Sequence, residues 1–427
     1  MDKYSKVESA SSLDLECLEE IYNLYALFDT PSNILFVAQF LSNIERFKDI
    51  FKRHCMQENI FFSCKCNKSH ALLKYAANDN CGIEVSSNYE LIDALKHTKK
   101  IIASGPAKDD KYLANAIENN VIISIDDIEE LKEICKFNRK SRVLLRISDL
   151  LKKVSRFGIN ISQIDECLDL ISNSKIELEG FSFHINNYSL DDRVKAIYEV
   201  IDIINMKKLK VNYIDIGGGI PTNYCTKEDF SNFLEKNNEG MYFNNHFIDN
   251  YYPYYSELAD ENALNYIISK THDVLKNNNI ELIIEPGRAL LKDVGISIYE
   301  VKYLKKLFNG AKIIVTNGNI NCLSEQWFSS DYLIEPKLKI KGQRKKQVIY
   351  ASVAGNLCLE QDMITWRKIK FDYIPQKGDW LIYFNTAGYQ MDSNESEFHK
   401  IPLVKKLIVE ETENGYLIKE DNEYDCK

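Results

Sequence analysis

Eight short apolar runs recur along the first two-thirds of the chain, each followed by a polar turn and a stretch at helical spacing. They are IFFSCK (60–65), GIEVSS (82–87), KIIASG (100–105), VIISID (121–126), RVLLRI (142–147), LEGFSFHI (178–185), VNYIDIGGG (211–219) and ELIIEPGR (281–288). Segments between them, such as YELIDALKH, DKYLANAIEN, IEELKEICKF and VKAIYEVIDIINMKK, place apolar residues three and four apart. Strand and helix alternating in this way imply parallel βα units. Eight such units predict a closed (β/α)8 TIM barrel rather than an open sheet. Residues 221–262, rich in aromatic side chains, read as an insertion after the seventh strand.

After residue 297 the texture changes. ISIYEVKYLKKL, AKIIVTNG, KKQVIYASVAG, DWLIYFNTAG and KKLIVEETENGYLIKE alternate apolar and polar residues, which predicts a C-terminal all-β domain. Near the N-terminus, LDLECLEEIYNLYAL (13–27) has helical spacing, FDTPSN (28–33) is turn chemistry, and ILFVAQ (34–39) reads as a strand completing the β domain. The expected division is 1–40, 41–296 and 297–427. A chain of 427 residues has room for a large barrel and a second domain.

A formal charge of −9 argues against a nucleic-acid partner, which would call for a basic face. No apolar run reaches membrane-spanning length, and the polar, acidic N-terminus resembles neither a signal nor a transit peptide. Eleven scattered cysteines, an odd number, fit reduced thiols and a cytoplasmic protein better than a disulfide framework.

In a barrel of this kind the chemistry sits where the strands end. Here the ends carry Lys65, Arg146, His184, Gly217-Gly218-Gly219 and Glu285-Pro286-Gly287-Arg288. Lys65 has three readings. It could extend to solvent from a strand end, as lysines commonly do. Its neighbours Cys64, Cys66 and His70 could ligate a metal. Or Lys65 could be a partly desolvated amine that forms a Schiff base. The three glycines could be a plain tight turn. Beside the Gly287-Arg288 loop they read better as an anion cup, since loops after the last two strands of a barrel are a recurrent phosphate site. A phosphate cup, a Schiff-base lysine, an acid and a flat histidine together point to pyridoxal 5'-phosphate. Glu285 would face the pyridine nitrogen and His184 the ring.

These stretches resemble, in order, the motifs of the fold-type III pyridoxal phosphate-dependent decarboxylases, which include diaminopimelate, ornithine and arginine decarboxylases. FFSCKCN resembles the lysine motif, GIEVSSNYEL and IIASGPAK the next two strands, and SRFGI the Ser-Lys-Phe-Gly segment. SFHINN, DIGGGIP and EPGRALL are similar to the histidine, glycine and phosphate motifs. GNLCLEQD (355–362) resembles the cysteine motif, and GDWLIYFNTAGYQM the segment that ends in a phosphate-contacting tyrosine. The likeness spans roughly residues 30–400. It implies an alanine-racemase-like barrel in which Lys65 carries the Schiff base. Arg146, His184, Asn187, Gly218, Gly219, Glu285, Gly287 and Arg288 would surround the cofactor. Cys358, Asp362 and Tyr389 would come from the other subunit of a homodimer, with Cys358 as proton donor and Asp362 against the substrate. Alanine racemases follow their lysine with an Ala-Tyr-Gly type sequence; here it is Cys66-Asn67. This weakens the metal reading. If residues 60–66 are strand, Cys64 and Cys66 also point away from Lys65.

The departures bear on substrate. Cys358 is followed by Leu359, where diaminopimelate decarboxylases have a glutamate. In TNGNINCLSEQW, Asn317 replaces an aspartate and Glu325 lies near the place of a carboxylate-binding arginine, which would favour an amine. Asn186 and Asn187 stand where a glycine and a serine are common, and the Asn187 amide can still donate to a phosphate. The polar QMDSNESEFHKIP after Tyr389 reads as a substrate or partner surface, or as a plain surface loop. The expectation is an amino-acid decarboxylase with a non-standard substrate, either a polyamine precursor or an amino-acid unit within a larger natural-product precursor. The rivals are a non-catalytic relative that binds a partner and a racemase or epimerase on the same barrel.

Overall fold

A computed structural model of the chain describes residues 6–11, 13, 21, 31–323, 330–413 and 415–425. The expected helix at 13–27 and Glu325 therefore lie outside the described residues, apart from the isolated positions 13 and 21. The first strand is β1 (Ser32–Phe36). Eight more follow: β2 (Asn59–Ser63), β3 (Gly82–Val85), β4 (Ile101–Ala103), β5 (Ile122–Ile125), β6 (Ser141–Arg146), β7 (Ile176–Ser182), β8 (Tyr213–Asp215) and β9 (Glu281–Ile284). These eight are the apolar runs, and they close into a parallel barrel. Closure is made by β9 against β2, with Ile283 opposite Asn59 and Ile284 opposite Ile60.

Phe61, Ile102, Ile122, Leu144 and Ile283 form one buried cluster in the barrel, drawn from five strands. Side chains of this kind fill a barrel of eight strands and leave no pore. The helices between strands begin on short polar caps. Ser69, Ser87, Asp109, Asp127 and Ser189 each accept a backbone N–H from the first turn of the helix that follows.

The chain divides into two compact units. One is the barrel, Leu41–Pro221, Leu258–Leu290 and Tyr424–Lys427. The other is Met1–Phe40, Thr222–Glu257 and Leu291–Glu423. The aromatic segment 222–257 thus groups with the β unit, although the expected 41–296 boundary placed it with the barrel. Its contacts explain why. Tyr242 and Tyr254 are fully buried, the Tyr242 backbone forms an antiparallel bridge with that of Arg367, and His246 stacks on Trp366 at 4.0 Å.

The β unit contains β10 (Gly295–Lys306), β11 (Lys312–Thr316), β12 (Lys337–Lys339), β13 (Ile349–Ala354), β14 (Met363–Phe371), β15 (Trp380–Phe384), β16 (Lys405–Thr412) and β17 (Gly415–Glu420). Their order is β14-β13-β11-β10-β1-β16-β17, with β15 pairing β10 and β12. The N-terminal strand does complete this sheet. It runs antiparallel to β10 and parallel to β16. It is shorter than expected, because Val37–Arg53 is a helix. Phe40, Ile44, Phe47 and Phe51 are buried at spacings of three and four, and that periodicity takes Val37, Ala38 and Gln39 out of the strand.

The barrel cluster sets the first expectation. Leu144→Ala should lower the stability of the barrel by about 2–5 kcal/mol, the cost of a buried leucine cavity. Urea unfolding followed by helical circular dichroism measures it. A shift below about 0.5 kcal/mol would mean that the five-strand cluster is not the barrel's core.

Candidate active site

Lys65 does not lie on a strand. β2 ends at Ser63, and Cys64–Cys66 form a 3-10 turn closed by the Asn67 N–H on the Cys64 carbonyl at 3.0 Å. The turn buries Cys64 and Cys66 while the Lys65 side chain remains 46% accessible. The cysteines do point away from the lysine, but a turn and not strand alternation puts them there. His70 starts the next helix and lies instead with Asp93 and Asp425. Lys96 already pairs with both of those carboxylates, at 3.2 and 2.6 Å.

The Lys65 ammonium donates to Glu84 Oε2 at 2.9 Å. Glu84 is fully buried on β3 and also accepts from the Ser63 and Ser86 hydroxyls. Burial would raise its pKa. The Lys65 charge and the three hydrogen bonds outweigh that and hold it below the ordinary carboxylate range. Glu84 was not among the residues expected at the site. Its signal was visible, since it is an acid inside an otherwise apolar buried strand.

Arg146 ends β6 and donates to Asp126 at 2.8 Å, with its guanidinium 4.6 Å from the centre of the Phe157 ring. His184 follows β7. A side chain on Gly217 would meet its Nδ1 at 2.9 Å, so the imidazole packs directly on the glycine turn. Crowding at the mouth, then the charges of Lys65, Arg193 and Arg146, push its pKa down to about 3. The residue keeps accessible surface, which tempers the burial effect, but the three cations act in the same direction. The ring is neutral at pH 7.

Gly217 and Gly219 both adopt left-handed backbone, with φ of 65° and 76°. A Cβ on Gly218 would lie 2.7 Å from the Glu285 carbonyl. Only glycines fit this turn. Arg288 is buried after β9, with Nη1 3.4 Å from the Tyr188 hydroxyl, and Gly287 accepts the Leu290 N–H at 3.1 Å. Asn187 builds its own loop: its amide donates to Asp192 and its oxygen accepts the Ser189 N–H, both at 2.9 Å.

Glu285 hydrogen-bonds the buried Asp215, a second acid absent from the sequence expectations. Burial pushes Asp215 up to about 7, while the Gly217 N–H and Glu285 act to lower it. Burial, then the charges of Asp215 and Glu84, raise Glu285 well above the usual range. This close together, the two carboxyls resist ionising at the same time.

The remaining expected residues belong to the β unit. Cys358 is exposed between β13 and β14. Asp362 is buried, and its two oxygens accept the Ile320 N–H at 2.8 Å and the Leu357 N–H at 2.6 Å. It therefore orders the loop that presents Cys358. Tyr389 has φ of 71°, and its carbonyl accepts the Asp392 and Ser393 N–H groups. The Asn317 oxygen accepts the Glu300 N–H at 2.8 Å.

A lysine amine, a glycine turn with no room for a Cβ, a neutral imidazole and a protonatable acid, all at one barrel mouth, fit a phosphorylated pyridine aldehyde. Proteins that bind pyridoxal phosphate in such a barrel form the class this site defines. Residues 37–292 match the model of the pyridoxal-dependent decarboxylase family, pyridoxal binding domain, and the chain belongs to that family. Pyridoxal phosphate is the family's cofactor, and the residues described fit it.

Similar proteins include the uncharacterized protein y4yA of Sinorhizobium fredii, 29% identical over 92% of this chain and 91% of that one. The diaminopimelate decarboxylase of Aquifex aeolicus is 23% identical over 93% of this chain and 90% of its own. The crystal structure of diaminopimelate decarboxylase from M. jannaschii in co-complex with L-lysine superposes with a TM-score of 0.75. It is 19% identical, over 98% of this chain and 95% of that one. At that identity the superposition shows the fold.

The Asp215–Glu285 pair makes stability depend on pH. In the unfolded chain both carboxyls ionise near pH 4, whereas the folded protein holds its protons to about 7 and beyond. Native protein then binds more protons than unfolded protein, so this contribution is full below about pH 4 and is lost as pH rises through about 7. His184 acts in the opposite sense and cancels when variants are compared. Urea titrations of the unliganded wild type and Glu285→Gln between pH 4 and 8 should show the wild type losing stability relative to the variant as pH rises. A constant difference would mean that the pair shares no proton.

Proposed function

We propose that this protein is a pyridoxal phosphate-dependent decarboxylase of an amino acid, or of an amino-acid unit within a larger precursor. The observation that carries this is the Lys65 ammonium held 2.9 Å from the buried Glu84 at the mouth that also holds the glycine turn. When bound, pyridoxal phosphate accepts the electron pair left on the α-carbon as carbon dioxide departs.

The chain's own residues prepare that step. Lys65 Nζ would be the amine to which the aldehyde attaches, and the ionised Glu84 orients it and balances its charge. Glu285 would face the pyridine nitrogen with its proton, and a pyridinium there would offset the charge of the Asp215–Glu285 pair. His184, kept neutral, would stand beside the ring without repelling a pyridinium. Arg146, fixed by Asp126, adds positive charge beside His184 and Asp215. Gly218, Gly219, Gly287 and Arg288 receive the phosphate.

The site is completed in a homodimer. Cys358 of the partner subunit returns a proton to the α-carbon, and Tyr389 of the partner subunit closes the phosphate cup. The substrate differs from diaminopimelate. Leu359 has no carboxylate, and the Asn317 oxygen already accepts the Glu300 N–H.

The test is cofactor trapping followed by product analysis. Borohydride should fix pyridoxal phosphate on the Lys65 peptide in the wild type and not in Lys65→Ala. Wild type should release carbon dioxide from one of a panel of amino acids, and Lys65→Ala should fall to background. Full turnover by Lys65→Ala would end the proposal. Cofactor trapping with inversion and no carbon dioxide would replace it with a racemase, and failure to trap cofactor would replace it with a partner-binding role.

A further inference from the structure

Arg193 lies in the first turns of the helix Leu190–Met206 and has no accessible surface. All its hydrogen-bond acceptors are backbone carbonyls. Nη1 donates to Ser189 at 3.1 Å, and Nη2 donates to Gly218 at 3.2 Å and to Ile185 at 3.4 Å. Its Nε meets no acceptor among the described residues. The adjacent Asp192 is already engaged by Lys153 and Asn187. A fully buried guanidinium without a carboxylate is costly, and proteins rarely keep one without an anion to answer it.

The position of the guanidinium indicates the anion. A Cβ on Gly219 would stand 2.1 Å from Nη2, so the charge presses against the underside of the glycine turn. Nη2 also binds the carbonyl of Gly218, which polarises the peptide whose N–H belongs to Gly219. Asn187, which replaces the usual serine of this loop, spends its amide on Asp192. Burial pushes the guanidinium down to about 10, and Tyr188 and Asp192 oppose this, so it stays charged at neutral pH.

We propose that Arg193 is the charge behind the phosphate cup: a buried cation that binds the dianionic phosphate of the cofactor through the tri-glycine turn. This rests on the reading of the mouth as a pyridoxal phosphate site. Arg288 serves the same anion from the loop after β9. Arg193 touches no reacting atom and is a binding residue.

The test compares pyridoxal 5'-phosphate with pyridoxal, titrated into unliganded wild type, Arg193→Gln and Arg193→Lys and followed by visible absorbance. Arg193→Gln keeps a donor and loses the charge; Arg193→Lys keeps the charge. Arg193→Gln should bind the phosphate form about tenfold or more weakly, the scale of one charge-assisted contact, with pyridoxal affinity unchanged. Arg193→Lys should stay within about threefold of wild type. Inorganic phosphate should raise the melting temperature of the unliganded wild type and Arg193→Lys, but not of Arg193→Gln. Equal losses for both ligands, or no loss, in Arg193→Gln would overturn the role of Arg193 and leave the cofactor reading intact. If Arg193→Gln does not fold, an Arg193→Lys protein that loses the phosphate form alone by tenfold overturns the charge argument. A wild type that binds both ligands equally would overturn the phosphate cup, and this proposal with it.

Discussion

Closure of the barrel is the constraint on which the rest of the site depends. The lysine follows the first barrel strand and the acid follows the last, more than two hundred residues later. Only the pairing of β9 with β2 makes them neighbours. The seam continues past the strands, where the Ser63 N–H donates to the Pro286 carbonyl at 3.4 Å. One register therefore sets the position of Lys65 against Glu285, Gly287 and Arg288. A slip of one residue would turn every side chain of the strand to the opposite face. The buried cluster around Phe61 and Ile283 holds that register from within the barrel.

Around this seam the barrel gathers charge of both signs and keeps most of it from water. Glu84 and Asp215 are buried acids, and Arg193 and Arg288 are buried cations. Isolated, any of them would be costly, and the protein resolves each cost differently. Glu84 takes an ammonium and two hydroxyls and stays ionised. Asp215 and Glu285, too close for two charges, keep a proton between them. Arg193 takes only carbonyls. The His184 imidazole is kept neutral by the cations around it, and Arg193 places positive charge beside the glycine turn.

Much of this was legible from residue order. Eight apolar runs became eight strands because each is short and flanked by polar turns, and a parallel strand buried on both faces reads as a continuous apolar segment. The glycines were legible because a left-handed turn admits little else. Less visible were features set by three-dimensional neighbours. The end of β2 at Ser63 is decided by a 3-10 turn that the apolar run conceals. The helix from Val37 overrides a strand-like IleLeuPheVal. Glu84 and Asp215 carried a signal, acids within apolar strands, but a lone acid acquires meaning only once its partners across the barrel are known. The membership of residues 222–257 in the β unit depends on Tyr242, Tyr254 and His246 finding Arg367 and Trp366, far along the chain.

On the proposed reading, cofactor chemistry and substrate choice fall largely on different parts of the chain. Apart from Tyr389, the groups suited to hold the cofactor come from the barrel, whose rigid strand ends hold them in place. The groups expected to meet the substrate come from loops of the β unit. There Asp362 binds two backbone N–H groups around the turn that exposes Cys358, so the acid acts on the thiol through the loop. Changing Leu359 or Asn317 alters a loop and leaves the cofactor cradle untouched. On the proposed reading, such a change would redirect the same cofactor chemistry to another amine without touching the barrel residues.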